Sequence, residues 1–250
     1  SRYTGSLTIP DSVVEIGERA FYQCENLNGT LTLGRSLRTI GKEAFYWCAF
    51  TGSLTIPEGV AEIADGAFSS LHQFNRDGMF NGTLTLPSTL KTIGAEAFAY
   101  TDFSGELLIP DGVTSIGGYA FYSCEELAAI TIPDSVTSIG TYAFYSCDSL
   151  TAITIPDGVT RISEGAFSCW NLTDIVIPKS VTSIGVSAFY DCRKLTAIII
   201  PGNVTSIGKR AFSGCDALKD IYYAGSEAQW TSAITDRGTV ELGDDVTVHC

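Results

Sequence analysis

An Ala-Phe pair recurs along this chain and restricts what it can fold into more than any other feature. The second residue of the pair falls at Phe21, Phe45, Phe68, Phe98, Phe121, Phe144, Phe167, Phe189 and Phe212. The steps between them are 24, 23, 30, 23, 23, 23, 22 and 23 residues. One unit of about 23 residues is therefore used nine times. A unit that short cannot bury an apolar face by itself, but stacked copies bury a continuous core. The chain is expected to be a solenoid, with each coil packed on its neighbours.

The clearest unit runs from Ile130 to Leu150. In Ile130-Thr131-Ile132 the outer residues are apolar and the middle one polar, which is the two-residue period of a strand with one buried face. Proline follows. All eight prolines of the chain (Pro10, Pro57, Pro87, Pro110, Pro133, Pro156, Pro178 and Pro201) occupy this one repeat position, and Gly34 holds it in the second unit. Proline lacks an N–H and fixes φ, so it ends a strand cleanly. A turn and Val-x-x-Ile-Gly come next, then Ala-Phe-x-x-Cys-x-x-Leu. The Phe144, Cys147 and Leu150 spacing suits one face of a short helical turn.

The reading is an α/β repeat solenoid, coiled right-handed, with a parallel ladder of nine strands about 40 Å long at roughly 4.8 Å per strand. Ala64 and Ser163 replace the usual Gly, Leu71 and Thr101 replace Cys, and the seventh unit is one residue short at Cys169. The period is lost after about residue 220. Residues 1–220 are read as the repeat domain and 221–250 as a closing segment, with Tyr222, Tyr223 and Trp230 covering the last coil and strands at 239–242 and 246–248.

With the unit laid out, Ile-x-Ile-Pro-x-x-Val-x-x-Ile-Gly-x-x-Ala-Phe-x-x-Cys-x-x-Leu resembles the BspA-type, or treponemal-type, leucine-rich repeat, over residues 5 to about 220. The tail from Ile221 through Trp230 to His249 resembles the segment that closes such arrays. The resemblance implies a bacterial, host-associated surface or secreted protein that adheres to matrix proteins, other cells or surfaces. It carries over no catalytic residues.

Charge and composition agree with a binding particle outside the nucleic-acid and membrane classes. The formal net charge of −13 opposes binding to nucleic acid or an anionic bilayer, and self-repulsion favours a soluble monomer. No apolar run is long enough to span a bilayer. The sequence opens inside the first unit without Met or a signal peptide, so any export signal or anchor is expected to lie outside it. Only two histidines, His72 and His249, are present, and no phosphate loop, nucleophile elbow or calcium loop appears. An enzyme is not expected, nor a cofactor or metal. Seven of the eight cysteines keep the repeat spacing, with no Cys-x-x-Cys pair, which suits small buried hydrophobes better than a disulfide or metal framework.

Three surfaces are candidates for ligand binding. The outward strand position carries Thr8, Thr32, Thr55, Thr85, Leu108, Thr131, Thr154, Val176 and Ile199, a stripe that turns apolar in later units. The 30-residue step adds an insertion at 69–81 with His72, Phe74, Arg76, Met79 and Phe80. A row beside the marker Phe carries Tyr22, Tyr46, Tyr122, Tyr145 and Tyr190, rigid amphipathic side chains suited to proteins or sugars. The expected function is a non-catalytic, cell-surface or secreted scaffold that binds a protein or glycan. The alternative is a spacer displaying another domain of a larger surface protein.

Overall fold

In the computed structural model, which describes residues 4–70, 80–234, 242–243 and 245–250, the chain is a solenoid of parallel strands. Coils are numbered here by their marker Phe, from Phe21 in coil one to Phe212 in coil nine. The alternating segment before each proline forms the first strand of its coil, from Leu7–Thr8 in coil one to Ala197–Ile200 in coil nine. Paired strands run parallel in repeat register, with Leu7 opposite Leu31 and Ile198 opposite Ile221. The series does not stop at nine. Asp220–Tyr223 pairs with coil nine, and Thr247–His249 pairs with Asp220–Tyr223, so this first series has eleven strands among the described residues. The tail thus extends the strand ladder after losing the Ala-Phe marker.

A second ladder accompanies the first. The Val-x-x-Ile-Gly segments hold two-residue strands such as Ser115–Ile116 and Ser138–Ile139, parallel and in register. The Ile of each is buried. The following Gly is fixed by packing: a Cβ at Gly140 would lie 2.3 Å from the Gly118 amide nitrogen and 2.6 Å from the Gly117 carbonyl carbon. Two neighbouring coils meet there backbone to backbone. Where Ser163 takes this place, its hydroxyl donates to the Ile139 carbonyl of the coil before, at 2.6 Å.

The Ala-Phe segment departs from the expected helical turn. It is a run of turns, and among the described residues no coil forms a helix. In coil six, Ala143, Tyr145 and Cys147 donate back three residues within the coil, to the Gly140, Tyr142 and Phe144 carbonyls. The alternate amides, Tyr142, Phe144 and Ser146, donate instead to Glu164, Ala166 and Ser168 of the next coil. Half of the amides a helix would need are spent on the neighbour. This alternation places Tyr142 and Ser146 at φ of 55° and 54°, the left-handed region. All nine coils have a left-handed residue two before the marker Phe, from Arg19 to Arg210, with Gly66 and Gly165 among them.

Such a φ costs an L-residue roughly 1–2 kcal/mol, and Gly214 occupies the place of Ser146 three coils later. Ser146→Gly is therefore expected to stabilise the protein by about 0.5–1 kcal/mol, the relief of strain less the entropy glycine adds to the unfolded chain. The midpoint of urea unfolding tests this, and a downward shift would show that the turn run carries no strain there.

The core is a set of columns along the solenoid axis. The marker rings stack one per coil, 5.2 Å apart for Phe21 and Phe45 and 5.5 Å for Phe121 and Phe144. They are nearly parallel, at 3° in both pairs. A second column holds Leu27, then Phe50, Phe80 and Phe103, then Leu127, Leu150, Leu172, Leu195 and Leu218, all buried. Phe80 belongs here. It packs at 5.9 Å from Phe50 and 5.1 Å from Phe103, so it is a core residue of coil three and not an exposed part of the insertion. The only α-helix among the described residues, Glu227–Ala233, follows coil nine. Ser226 caps it and accepts from the Gln229 amide, and its buried Trp230 lies 5.5 Å from Tyr223.

Candidate functional site

The outward strand row is where the sequence places it. Thr8, Thr32, Thr55, Thr85, Leu108, Thr131, Thr154, Val176 and Ile199 are all exposed, because their neighbours in each strand point into the core. The row continues beyond Ile199. Tyr222 stands opposite Ile199 in register, and His249 opposite Tyr222. Tyr222 does not cover the last coil as expected. It faces outward, while its neighbour Tyr223 is buried and its hydroxyl donates to the Val204 carbonyl at 3.0 Å. The His249 ring stacks on Tyr222 at 4.7 Å, and its Nε2 lies 2.7 Å from Asp220. Val176, Ile199 and Tyr222, on successive coils, are 53%, 65% and 45% exposed, as is Leu108 at 60%. Large apolar side chains thus stay in water on three successive coils.

The tyrosine row lies beside the turn run, and Tyr22, Tyr46, Tyr122, Tyr145 and Tyr190 are all half-buried. Tyr22 stacks on Tyr46 at 5.4 Å, and Tyr122 on Tyr145 at 5.1 Å, both pairs within 6° of parallel. The structure adds three tyrosines that the row as read from sequence omits. Tyr119 and Tyr142 occupy the left-handed position, 5.1 Å apart, and Tyr100 meets Tyr122 edge-on at 5.2 Å. Their signal is in the sequence: Tyr119 and Tyr142 lie two residues before their marker Phe, and Tyr100 two after it.

The row is interrupted at coil seven. Ser168 stands where coils five, six and eight have Tyr, and its hydroxyl donates to the Tyr190 carbonyl. Gly165 stands where coils five and six have Tyr. A Cβ on it would lie 2.2 Å from the Tyr142 ring, which leans across it to donate its phenol to Glu164 at 2.7 Å. A cleft of about 370 Å³ opens at this interruption. Tyr119, Tyr122, Tyr142 and Tyr145 form one side, and Tyr190, Ser187 and Arg210 the other. The bond to Glu164, with burial, pushes the Tyr142 phenol up to about 12. Burial raises Tyr122 and Tyr145 as well. All three are neutral hydroxyls at physiological pH. Coil three repeats the interruption with Gly66 and Ser69, but its smaller cleft of 250 Å³ is lined largely by charge: Arg19, Lys42, Glu43, Asp65 and Glu96 beside Tyr22 and Tyr46.

Six cysteines, Cys48, Cys124, Cys147, Cys169, Cys192 and Cys215, are buried, and all eight of the chain are free thiols. Each of the six donates its Sγ–H to the marker Phe carbonyl of the coil before, as Cys147 does to Phe121 at 3.1 Å and Cys192 to Phe167 at 3.1 Å. Thr101 replaces the thiol in coil four and bonds the Phe98 carbonyl at 2.8 Å. Their role is packing and hydrogen bonding. Among the described residues no group of three or more His, Cys, Asp or Glu could hold a metal ion, and no helix is long and apolar enough to cross a membrane. Of the insertion residues, His72, Phe74, Arg76 and Met79 lie outside the described residues.

A ladder of short parallel strands with turn runs in place of crossover helices, repeated every 23 residues or so, defines a leucine-rich-repeat solenoid. The family model for the BspA type leucine rich repeat region matches residues 2–104 and 91–219 in six copies, and the chain belongs to that family. Among solved structures, a leucine-rich repeat protein from Bacteroides ovatus is 29% identical with a TM-score of 0.74, over 88% of this chain and 63% of its own. A leucine-rich repeat protein of T. pallidum is 26% identical with a TM-score of 0.51, over 76% of this chain and 77% of its own. The pneumococcal vaccine antigen PcpA shares the fold at 19% identity and a TM-score of 0.62, over 98% of this chain and 62% of its own. This chain thus spans under two thirds of the length of two of these three proteins. No curated protein matches it at a significant level.

Proposed function

We propose that this chain is a non-catalytic binding scaffold, displayed on a bacterial cell surface or secreted, that adheres to a protein or glycan of a host or neighbouring cell through its strand face. One observation carries the reading. The outward row changes from threonine to Val176, Ile199 and Tyr222 on successive coils, all exposed. Strand propensity accounts for threonine on a ladder, but not for three large apolar side chains left in water. Parallel sheets usually have both faces covered, so a bare apolar stretch on one is what a partner would cover. Residues 221–250 close the array in this reading, with Trp230 and Tyr223 packed against coil nine and Tyr222 and His249 extending the binding row. The net charge of −13 favours a monomer that meets its partner singly and avoids nucleic acid.

Purified protein should bind saturably to one or more members of a panel of matrix proteins and surface glycans. Leu108→Asp, Val176→Asp and Ile199→Asp replace exposed side chains, so each should leave the fold intact. Affinity should fall by about tenfold or more for the variants at the centre of the contact. Unchanged affinity in all three folded variants would remove the strand face from consideration. Absence of any ligand across the panel would favour a spacer that displays another part of a longer surface protein.

A further inference from the structure

The cleft at coil seven has a chemistry of its own, separate from the strand face, and an inference drawn from it does not depend on that reading. The tyrosines adjoining the marker Phe stack at the coil repeat, and coil seven leaves one tier empty. Tyr145 and Tyr190 belong to coils six and eight, two ladder steps or about 10 Å apart along the axis, and the coil between them has Ser168 in their place. The marker column widens at the same place. Phe144 and Phe167 are 5.9 Å apart and Phe167 and Phe189 are 6.2 Å apart, against 5.5 Å for Phe121 and Phe144. A flat aromatic group held between two walls needs only about 7 Å, two van der Waals contacts of 3.5 to 4.0 Å each. The wider slot suits a thicker, puckered ring.

The lining points the same way. A pyranose presents C–H faces above and below and a belt of hydroxyls at its edge. It calls for apolar walls with hydrogen-bonding groups along their rims. Tyrosine supplies both in one side chain, and here Tyr142, Tyr145 and Tyr190 are joined by the Ser187 hydroxyl and the Arg210 guanidinium. Tyr142, which donates its proton to Glu164, keeps its phenol oxygen as an acceptor. A cationic ligand is disfavoured by Arg210 in the lining, and a polyanionic nucleic acid by the net charge of −13. The volume of about 370 Å³ falls in the range of small-ligand sites. We propose that the cleft over coil seven is a saccharide site, which takes a pyranose ring between Tyr145 and Tyr190 with its hydroxyls toward Tyr142, Ser187 and Arg210.

Saturation-transfer NMR and titration calorimetry of the full chain against a panel of neutral hexoses, N-acetylhexosamines and hexuronic acids, each as monosaccharide and disaccharide, test this. At least one should bind with a Kd near 1 mM or below. Tyr145→Ala and Tyr190→Ala, which remove half-buried rings, should each weaken it by about tenfold. Ser168→Tyr restores the residue of the neighbouring coils, fills the empty tier and should abolish binding. Its far-UV spectrum and unfolding midpoint show whether it folds, and the two alanine variants decide the matter if it does not. Glu15→Gln, exposed on coil one and outside both surfaces, should bind the sugar as the parent does. The proposal is overturned if no pyranose binds, if both alanine variants bind like the parent, or if Glu15→Gln abolishes binding. Occupation of the cleft by short peptides and not by sugars would assign it to a protein partner and overturn it equally.

Discussion

The fold is expected to lose stability steeply above pH 9, at roughly 5 kcal/mol per pH unit, after a flat region between pH 6 and 8. The cause is the thiol column. Burial pushes the thiol of Cys48 up to about 12, and those of Cys147, Cys169 and Cys192 well above the ordinary value of 9.0. In the folded protein each of these stays protonated and donates to a Phe carbonyl, where a thiolate would be buried without a proton to share. In the unfolded chain the same thiols ionise near pH 9. Below that pH both states hold the proton and the contribution to stability is complete. Above it the unfolded state gains from ionisation, and the contribution is lost as pH rises toward the folded value. Each group then contributes about 1.4 kcal/mol per pH unit, and four such groups give the slope stated. Tyr142, raised to about 12, adds to the loss from pH 10 upward.

Urea unfolding in a non-thiol reductant from pH 6 to 10.5 measures this slope. Cys192→Ala should flatten it by about a quarter. At neutral pH that variant should cost about 1 kcal/mol for the lost hydrogen bond, with a cavity term added. A midpoint that does not move up to pH 10.5 would mean that the column opens locally and ionises without unfolding.

Sequence alone revealed the columns because they are periodic. The nine Ala-Phe pairs, the prolines that end the first strands and the alternation of Ile130, Thr131 and Ile132 each state a buried or exposed position, and each position recurs in register. The second ladder was not legible, because Ser115–Ile116 and its counterparts are two residues long with one buried side chain, and two residues show no period. The backbone of the turn run is hidden from the sequence for a related reason. Phe144, Cys147 and Leu150 do line one buried face, as a helix would place them, but the backbone reaches that arrangement by sending alternate amides to the next coil. Those bonds need a neighbour, and intracoil spacing carries no trace of them. The tyrosine stripe was visible residue by residue, yet the cleft was not. It arises from what coil seven lacks, Gly165 and Ser168 where tyrosines stand elsewhere, and a gap gains meaning only once the coils are stacked.

Phe144→Ala is expected to cost about 3–5 kcal/mol and to divide one unfolding transition into two. Phe144 is fully buried at the middle of the marker column, stacked 5.5 Å from Phe121 and 5.9 Å from Phe167. Truncation leaves a cavity that coils five and seven cannot collapse into, because their own backbones are pinned by bonds such as Phe144 N–H to Ala166 and Phe121 N–H to Ala143. In a solenoid each coil contacts only its neighbours, so the damage does not spread evenly. It weakens the interfaces on either side of coil six, and those are what make the coils on the two sides unfold together. Phe21→Ala provides the comparison. Phe21 is only partly buried and stacks on Phe45 alone among the marker rings, so its loss should cost about 1–2 kcal/mol and leave the single transition intact. Hydrogen exchange resolved by coil, alongside urea unfolding, separates the two cases. Protection should fall around residues 120–170 in Phe144→Ala and only in coil one in Phe21→Ala. Equal losses in both variants, with a single transition in each, would mean that the array unfolds as one unit and that nearest-neighbour coupling does not describe it.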